Sequence, residues 1–300
     1  MMDSNRIMIA DSVTLSRLAY GMWRLADSAD TAPAAVRSRI DLCLEQGITT
    51  LDLADIYGDY TASTMLGAAL RATPGLRDRV EIVTKCGIVA PAGRHAGIRV
   101  KHYDSSAAHI GAAVETSLRE LDTDRIDLLL IHRPDPLMDP VETGRALDDL
   151  VASGKVRAVG VSNFRPHDVE LLQDCMCQPL AVNQIEISLA VSDALTNGDL
   201  AFIQRAGMVP MAWSPLAGGA LFAGARPALV DALRDMAAQK GCDMAALAVA
   251  WLLRHPAGIV PVIGTATPER IARLSDALRV QLDREDWFVL YAAALGHDVA

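Results

Sequence analysis

Eight short runs of β-forming, mostly apolar residues recur along the 300-residue chain, each separated from the next by a longer helical pattern. The runs are Leu15–Tyr20, Thr49–Leu53, Val80–Thr84, Asp127–Ile131, Ala158–Val161, Ala181–Ile185, Val209–Trp213 and Ile259–Ile263. Several are apolar at nearly every position, as strands covered on both faces must be. Helical patterns fill the gaps at Ala32–Glu45, Ser63–Ala72, Ser105–Leu121, Val141–Ser153, Arg165–Cys175, Leu195–Ala206, Leu229–Lys240 and Met244–Arg254. Gly47, Gly154, Gly207 and Gly241 stand where helices should stop. Thr267-Pro268-Glu269 opens another helix, with Thr as N-cap and Pro in the first turn, and a last one covers Asp283–Leu295. Eight strand–helix units predict a single α/β domain over residues 1–300, a (β/α)8 TIM barrel. The segment Ile7–Leu15, turning at Asp11-Ser12, is expected to form an N-terminal hairpin across the barrel floor, and helices close the C-terminus. A doubly wound sheet is the competing architecture. It usually carries a Gly-rich phosphate turn after its first strand. The chain has neither G-x-G-x-x-G nor a P-loop.

Composition narrows the function classes. Hydrophobic residues make up 51% and charged residues 22%, ample for a folded core. A net charge of −9 with no basic block argues against nucleic acid or an anionic membrane as partner. No apolar run reaches the ~18 residues of a membrane span, and the first ten residues lack a secretory pattern, so a cytoplasmic location is expected. The five cysteines are odd in number and scattered, which reads as reduced thiols. Cys175 and Cys177 are the one close pair, and they have no nearby third or fourth ligand, so no metal is expected.

In such a barrel, catalytic groups gather at the C-terminal ends of the strands. Asp52, Lys85 and His132 end the second, third and fourth runs, and Tyr57 follows Asp52 by five residues. Ser162 and Asn163 end the fifth run, Gln184 and Glu186 the sixth, Trp213 and Ser214 the seventh, and Gly264-Thr265 the eighth. A Lys at a buried strand end needs a partner, and Asp52 supplies one. A nearby ammonium favours the phenolate of Tyr57 and is expected to lower its pKa. His132 can hydrogen-bond a carbonyl oxygen. Together these groups donate a proton to an oxygen gaining negative charge, as in carbonyl reduction by a hydride from a cofactor.

The stretches Asp52-Leu-Ala-Asp-Ile-Tyr57-Gly58, Val-Thr-Lys85-Cys-Gly, Leu-Leu-Leu-Ile-His132-Arg-Pro-Asp135, Gly160-Val-Ser162-Asn163-Phe164, Asn183-Gln184-Ile-Glu186, Trp213-Ser214-Pro215-Leu216 and Ile263-Gly264-Thr265 follow one another in order. In this the chain resembles the aldo-keto reductase superfamily, from about Leu15 to Leu278. The resemblance implies an NADPH-dependent reductase of a small aldehyde or ketone. By that similarity Tyr57 is the general acid, Lys85 and Asp52 tune it, and His132 orients the carbonyl. Ser162, Asn163 and Gln184 would hold the nicotinamide carboxamide, with Trp213 stacked on the ring. The segment from Ser214 through Pro215, Leu216 and Gly218 to Gly219 would wrap the pyrophosphate with the backbone N–H groups of its non-proline residues. Gly264, Thr265 and Arg270 would meet the adenosine 2′-phosphate, and Trp23 would flank the nicotinamide or line the pocket. Two departures from the pattern stand out: Gly264 lies where many relatives carry a Lys, and Leu274 lies where many carry an Asn. Arg270 still favours NADP over NAD.

Other readings use the same residues. Lys85 could form an imine, as in a Schiff-base lyase, although Asp52 would keep its amine charged. A non-catalytic NADPH-binding regulatory protein is a third. The long segment Ala90–Asp104, with His95, Arg99, Lys101, His102 and Tyr103, could bind a polar or anionic substrate. Asp55 and Asp135 are read as helix caps or rim groups. A monomer or a small homo-oligomer both fit the composition.

Overall fold

The computed structural model describes residues 6–11, 13–223 and 226–299. Strands β1 (Arg6–Ala10) and β2 (Val13–Ser16) pair antiparallel as a hairpin. Of the expected turn, Ser12 lies outside the described residues. The barrel follows with β3 (Ala19–Gly21), β4 (Thr50–Asp52) and β5 (Glu81–Cys86). After β5 comes a small antiparallel hairpin, β6 (Ile88–Val89) with β7 (His102–Tyr103). The barrel then resumes with β8 (Leu128–Ile131), β9 (Val159–Ser162), β10 (Leu180–Glu186), β11 (Val209–Trp213) and β12 (Val260–Ile263). Eight strands, β3 to β5 and β8 to β12, pair parallel in chain order, and β12 closes onto β3. The long run Leu15–Tyr20 is therefore two elements. Leu15 and Ser16 end the floor hairpin, and the first barrel strand begins only at Ala19.

Helix α1 (Pro33–Leu44) joins β3 to β4. A single turn, α2 (Tyr57–Tyr60), and helix α3 (Ala62–Arg71) join β4 to β5. Helices α4 (Ala107–Leu121), α5 (Pro140–Ala152), α6 (Pro166–Gln173) and α7 (Asp199–Arg205) each precede the next barrel strand. Helices α8 (Pro227–Lys240) and α9 (Met244–Leu253) both lie between β11 and β12. The short α10 (Pro268–Ile271) and the longer α11 (Arg284–Leu295) follow β12. Side-chain caps set several starts: Asp139 accepts from the backbone of Val141 and Glu142, and Asp243 from Ala246. The helix expected over Leu195–Ala206 begins later, at Asp199, because Asp193–Leu195 forms a separate 3-10 turn.

Val13 and Leu15 of β2 join Val83, Leu130, Val182, Met211 and Val260 in the core inside the barrel, with Ile7 and Ile9 against it. The hairpin thus plugs the floor, and each such buried side chain contributes roughly 1.5–3 kcal/mol. Arg6 reinforces it by donating to Thr14, Thr49 and Glu81 beneath β4 and β5. With the barrel interior at the floor filled by apolar side chains, the open end of the barrel is the opposite, C-terminal rim. No helix among the described residues is long and apolar enough to cross a membrane.

Candidate active site

The inward positions at the ends of β4, β5 and β10 carry Asp52, Lys85 and Gln184, all 1–2% exposed. An ammonium buried this deeply needs every proton placed. The Nζ of Lys85 donates to Asp52 Oδ2 at 2.7 Å, to the carbonyl of Leu53 at 2.7 Å and to the Tyr57 hydroxyl at 3.3 Å. Burial works to lower the Lys85 pKa, but Asp52 and Tyr57 outweigh it and the group sits above its ordinary value. The amine is therefore charged.

Tyr57 reverses one expectation. Its phenol lies above the ordinary value of 10.0, chiefly because it is buried; Lys85 pulls it down and Asp52 pushes it up. Before anything reacts, desolvation of the phenolate exceeds the help from Lys85. The phenol is fully protonated at neutral pH, as a proton donor requires. Its ring meets His132 edge-on, with centroids 6.1 Å apart. Burial, then Lys85, Arg133 and Lys101, hold His132 well below 6.5, so its imidazole is neutral. Its Nδ1 is buried without a hydrogen-bond partner among the described residues.

A chain of hydrogen bonds runs from this centre around the rim. Gln184 Nε2 donates to Asp52 Oδ1 at 2.8 Å. The backbone oxygen of Gln184 accepts from Ser162 Oγ at 2.8 Å and from the Asn163 N–H at 3.0 Å. Asn163 Nδ2 donates to Ser162 Oγ at 2.8 Å, and Asn163 Oδ1 accepts from Trp213 Nε1 at 2.9 Å. The indole is thereby fixed at one edge, and the Arg133 guanidinium sits 5.7 Å from its centroid. This chain has a consequence for Gln184: its side-chain N–H is directed at Asp52.

One cleft of about 1100 Å³ gathers these groups. That exceeds the ~300–1,000 Å³ of a site for one small ligand. Asp52, Tyr57, His132, Ser162, Asn163, Gln184 and Trp213 line one part of it, with Trp23. Ser214, Pro215, Leu216 and Gly218 line the segment beyond, and Gly264, Thr265, Arg270 and Leu274 another wall. Lys85 lies beneath, reaching the cleft only through its partners. Ser214 and Ala217 adopt left-handed φ of 48° and 49°, and so does Asn163 at 62°. Such conformations cost about 1–3 kcal/mol each and collect where a backbone is shaped for a ligand. The N–H groups of Ala217 and Gly219 turn inward to Ser214 and Leu216, so only part of the expected wrap faces the cleft.

Several cleft residues were not read from sequence. Arg24, Arg133, Asp243 and Arg273 all line it. Arg273 pairs with Asp243 at 3.3 Å and Asp276 at 3.2 Å, whereas Arg270 makes no ion pair among the described residues. A cation directly after His132 was a visible signal for Arg133; nothing in sequence pointed to Arg273 over its neighbours. Ala90–Asp104 does not line the cleft. Near its end it forms β7, which pairs with β6 just before the segment, Val89 opposite His102. Asp135 accepts from Ser105 and Leu137, clamping loops.

Asp55 is 8% exposed, and its Oδ1 is buried without a partner among the described residues. Burial pushes this carboxyl from 3.8 to about 7. A carboxyl raised by folding favours the folded state below pH ~4, and that advantage is lost as pH rises to ~7. Asp55→Asn is expected to raise the melting temperature at pH 8 and to change it less at pH 5. Equal shifts at both pH values would show that Asp55 does not titrate with folding.

The sequence matches the Aldo/keto reductase family over residues 17–293, and the chain belongs to that family. It is 61% identical over 295 residues to 6-dehydroglucose reductase of Agrobacterium fabrum, covering 98% of this chain and 99% of the relative. Among solved structures, glycerol dehydrogenase of Gluconobacter oxydans superposes with a TM-score of 0.87 at 26% identity, covering 99% of this chain and 97% of the other. An aldo-keto reductase of Klebsiella pneumoniae in complex with NADPH superposes with a TM-score of 0.79 at 29% identity, covering 96% and 94%.

Proposed function

We propose that this oxidoreductase uses NADPH to reduce the C6 aldehyde of 6-dehydroglucose, or a closely similar sugar aldehyde, to the primary alcohol. One observation carries the reaction class: a protonated Tyr57 phenol in contact with a fully bonded Lys85 ammonium, beside a neutral His132, in one large cleft. The sugar rests on the relative with 61% identity.

The cleft suits a dinucleotide. It has volume for two ligands, a flat indole pinned by Asn163, left-handed backbone at Ser214, Ala217, Gly218 and Gly219, and an Arg270 with no ion pair among the described residues of an acidic chain. Trp213 would form the wall against the nicotinamide. Ser162, Asn163 and Gln184 would hold its carboxamide, and Gly264, Thr265 and Arg270 the 2′-phosphate. NADPH, when bound, supplies the hydride. His132 holds the carbonyl oxygen and aims it at Tyr57. As that oxygen gains charge, the Tyr57 phenol gives up its proton. Lys85 stabilises the phenolate that results, and Asp52 keeps Lys85 charged and in place. Arg24 and Arg133, facing the same space, offer donors to a hydroxyl-rich substrate.

The expected result is NADPH consumption with 6-dehydroglucose and formation of glucose. Turnover with other aldehydes but not this one would refute the sugar; none across a broad carbonyl panel would refute the reductase. Arg270→Ala should weaken NADPH binding about tenfold or more, read by tryptophan fluorescence, and leave NADH unchanged. A Schiff-base lyase would need a neutral Lys85 amine, and all three protons of its ammonium are placed.

A further inference from the structure

The turn that carries Tyr57 is strained, and its own backbone bonds, from the Tyr60 N–H to Ile56 at 3.4 Å and from the Thr61 N–H to Tyr57 at 3.2 Å and Gly58 at 3.1 Å, do not reach the Tyr60 side chain. Gly58, Asp59 and Tyr60 have consecutive left-handed φ of 58°, 53° and 69°. For a bulky side chain such as Tyr60 that conformation is an outlier that its surroundings must enforce. The surroundings belong to the β6–β7 hairpin. The Tyr60 hydroxyl accepts from the Ala90 N–H at 2.8 Å and donates to the Ile88 carbonyl at 3.4 Å. Its ring lies 4.9 Å from His95, edge-on, and 5.1 Å from the Arg94 guanidinium. Arg94 also donates to the Tyr60 carbonyl at 3.4 Å, and α4 anchors it through Glu120 at 2.8 Å. Gly93 sits so close to the turn that a Cβ there would meet the Asp59 carbonyl at 2.1 Å.

We propose that Tyr60 is a positioning residue for the reaction: by pinning the left-handed turn 58–60 to the hairpin at Ile88 and Ala90, it sets where the Tyr57 hydroxyl stands relative to Lys85. Lys85 itself has little freedom, since its 2.7 Å bonds to Asp52 and Leu53 fix it. The adjustable contact is the 3.3 Å one to Tyr57, and its length follows the turn. This inference rests on the reading of Tyr57 as proton donor.

Tyr60→Phe keeps the ring between Arg94 and His95 and removes both hydroxyl bonds. It is expected to lower kcat by roughly 10- to 100-fold, the scale of a displaced reacting group, with NADPH affinity unchanged. Added to Tyr57→Phe, it should cost nothing further, because no donor remains to be placed. Arg94→Met should give the same pattern more weakly, and it carries the test if Tyr60→Phe folds poorly. Independently of turnover, ultraviolet difference titration of the Tyr57 phenol, taken against Tyr57→Phe, should show its ionisation moved to higher pH in Tyr60→Phe as the Lys85 contact lengthens. A kcat and a titration both equal to wild type, or a loss that persists in the Tyr57→Phe background, would overturn the inference. A shifted titration in a protein that turns over no carbonyl would keep the positioning role and refute the reductase reading.

Discussion

Tyr57→Phe is expected to lose most turnover, by about 10²–10⁴-fold in kcat, while NADPH still binds. The substitution removes one oxygen from a ring that stays packed against His132. Lys85 keeps its 2.7 Å bonds to Asp52 and Leu53, so the fold should survive. Steady-state kinetics beside a fluorescence titration separates the two effects. Turnover equal to wild type would mean that the proton comes from elsewhere. The buried phenol also sets the pH dependence. Because its pKa lies above the ordinary value, reduction should stay level through neutral pH, whereas oxidation of the alcohol, which needs the phenolate, should rise with pH.

Lys85→Met is expected to act on both activity and stability. Lys85 and Asp52 are buried together, with side chains 1% and 3% exposed. Removing one member of a buried pair leaves the other unpaired, a loss of about 3–5 kcal/mol. Turnover should fall at least as far as in Tyr57→Phe, since the phenolate loses its counter-charge. The double substitution Lys85→Met with Asp52→Asn separates the effects. It should recover much of the lost stability, because no bare carboxylate remains, and none of the turnover. Chemical denaturation of the single and double variants measures the first, and NADPH consumption the second. If Lys85→Met alone unfolds at the wild-type midpoint, the pair contributes nothing to stability, and the burial argument fails.

The two tests ask different questions of one network. In the proposed reaction Tyr57 gives up the proton and Lys85 meets the charge left behind. Asp52 serves twice, holding Lys85 through one oxygen and Gln184 through the other. Asp52→Ala would therefore loosen the strand ends on both sides of the barrel mouth, and it is a poorer probe of chemistry than either substitution above.

Much of this molecule is legible in its sequence. Local periodicity and helix-stopping glycines give the alternation of strand and helix; Gly47, Gly154, Gly207 and Gly241 all adopt the left-handed φ that ends a helix. Polar residues closing apolar strands give Asp52, Lys85 and His132, because the C-terminal rim of a barrel is where such residues gather and find one another as partners. Order along the chain also gives Ser162, Asn163 and Trp213 to the same rim. What sequence leaves open is how these groups meet. Gln184 and Asp52 are 132 positions apart, and only closure of the barrel brings them within 2.8 Å. The direction of the Tyr57 shift is likewise tertiary: sequence supplies the neighbouring ammonium, but the larger effect is desolvation, which depends on everything packed around the ring. The strained turn at Tyr60 follows the same rule. No propensity predicts three left-handed residues in a row, and they persist because a hairpin some thirty residues onward in sequence accepts and donates the bonds that hold them. Local chemistry fixes which groups are present; long-range closure fixes their distances and their water, and on those the reaction depends.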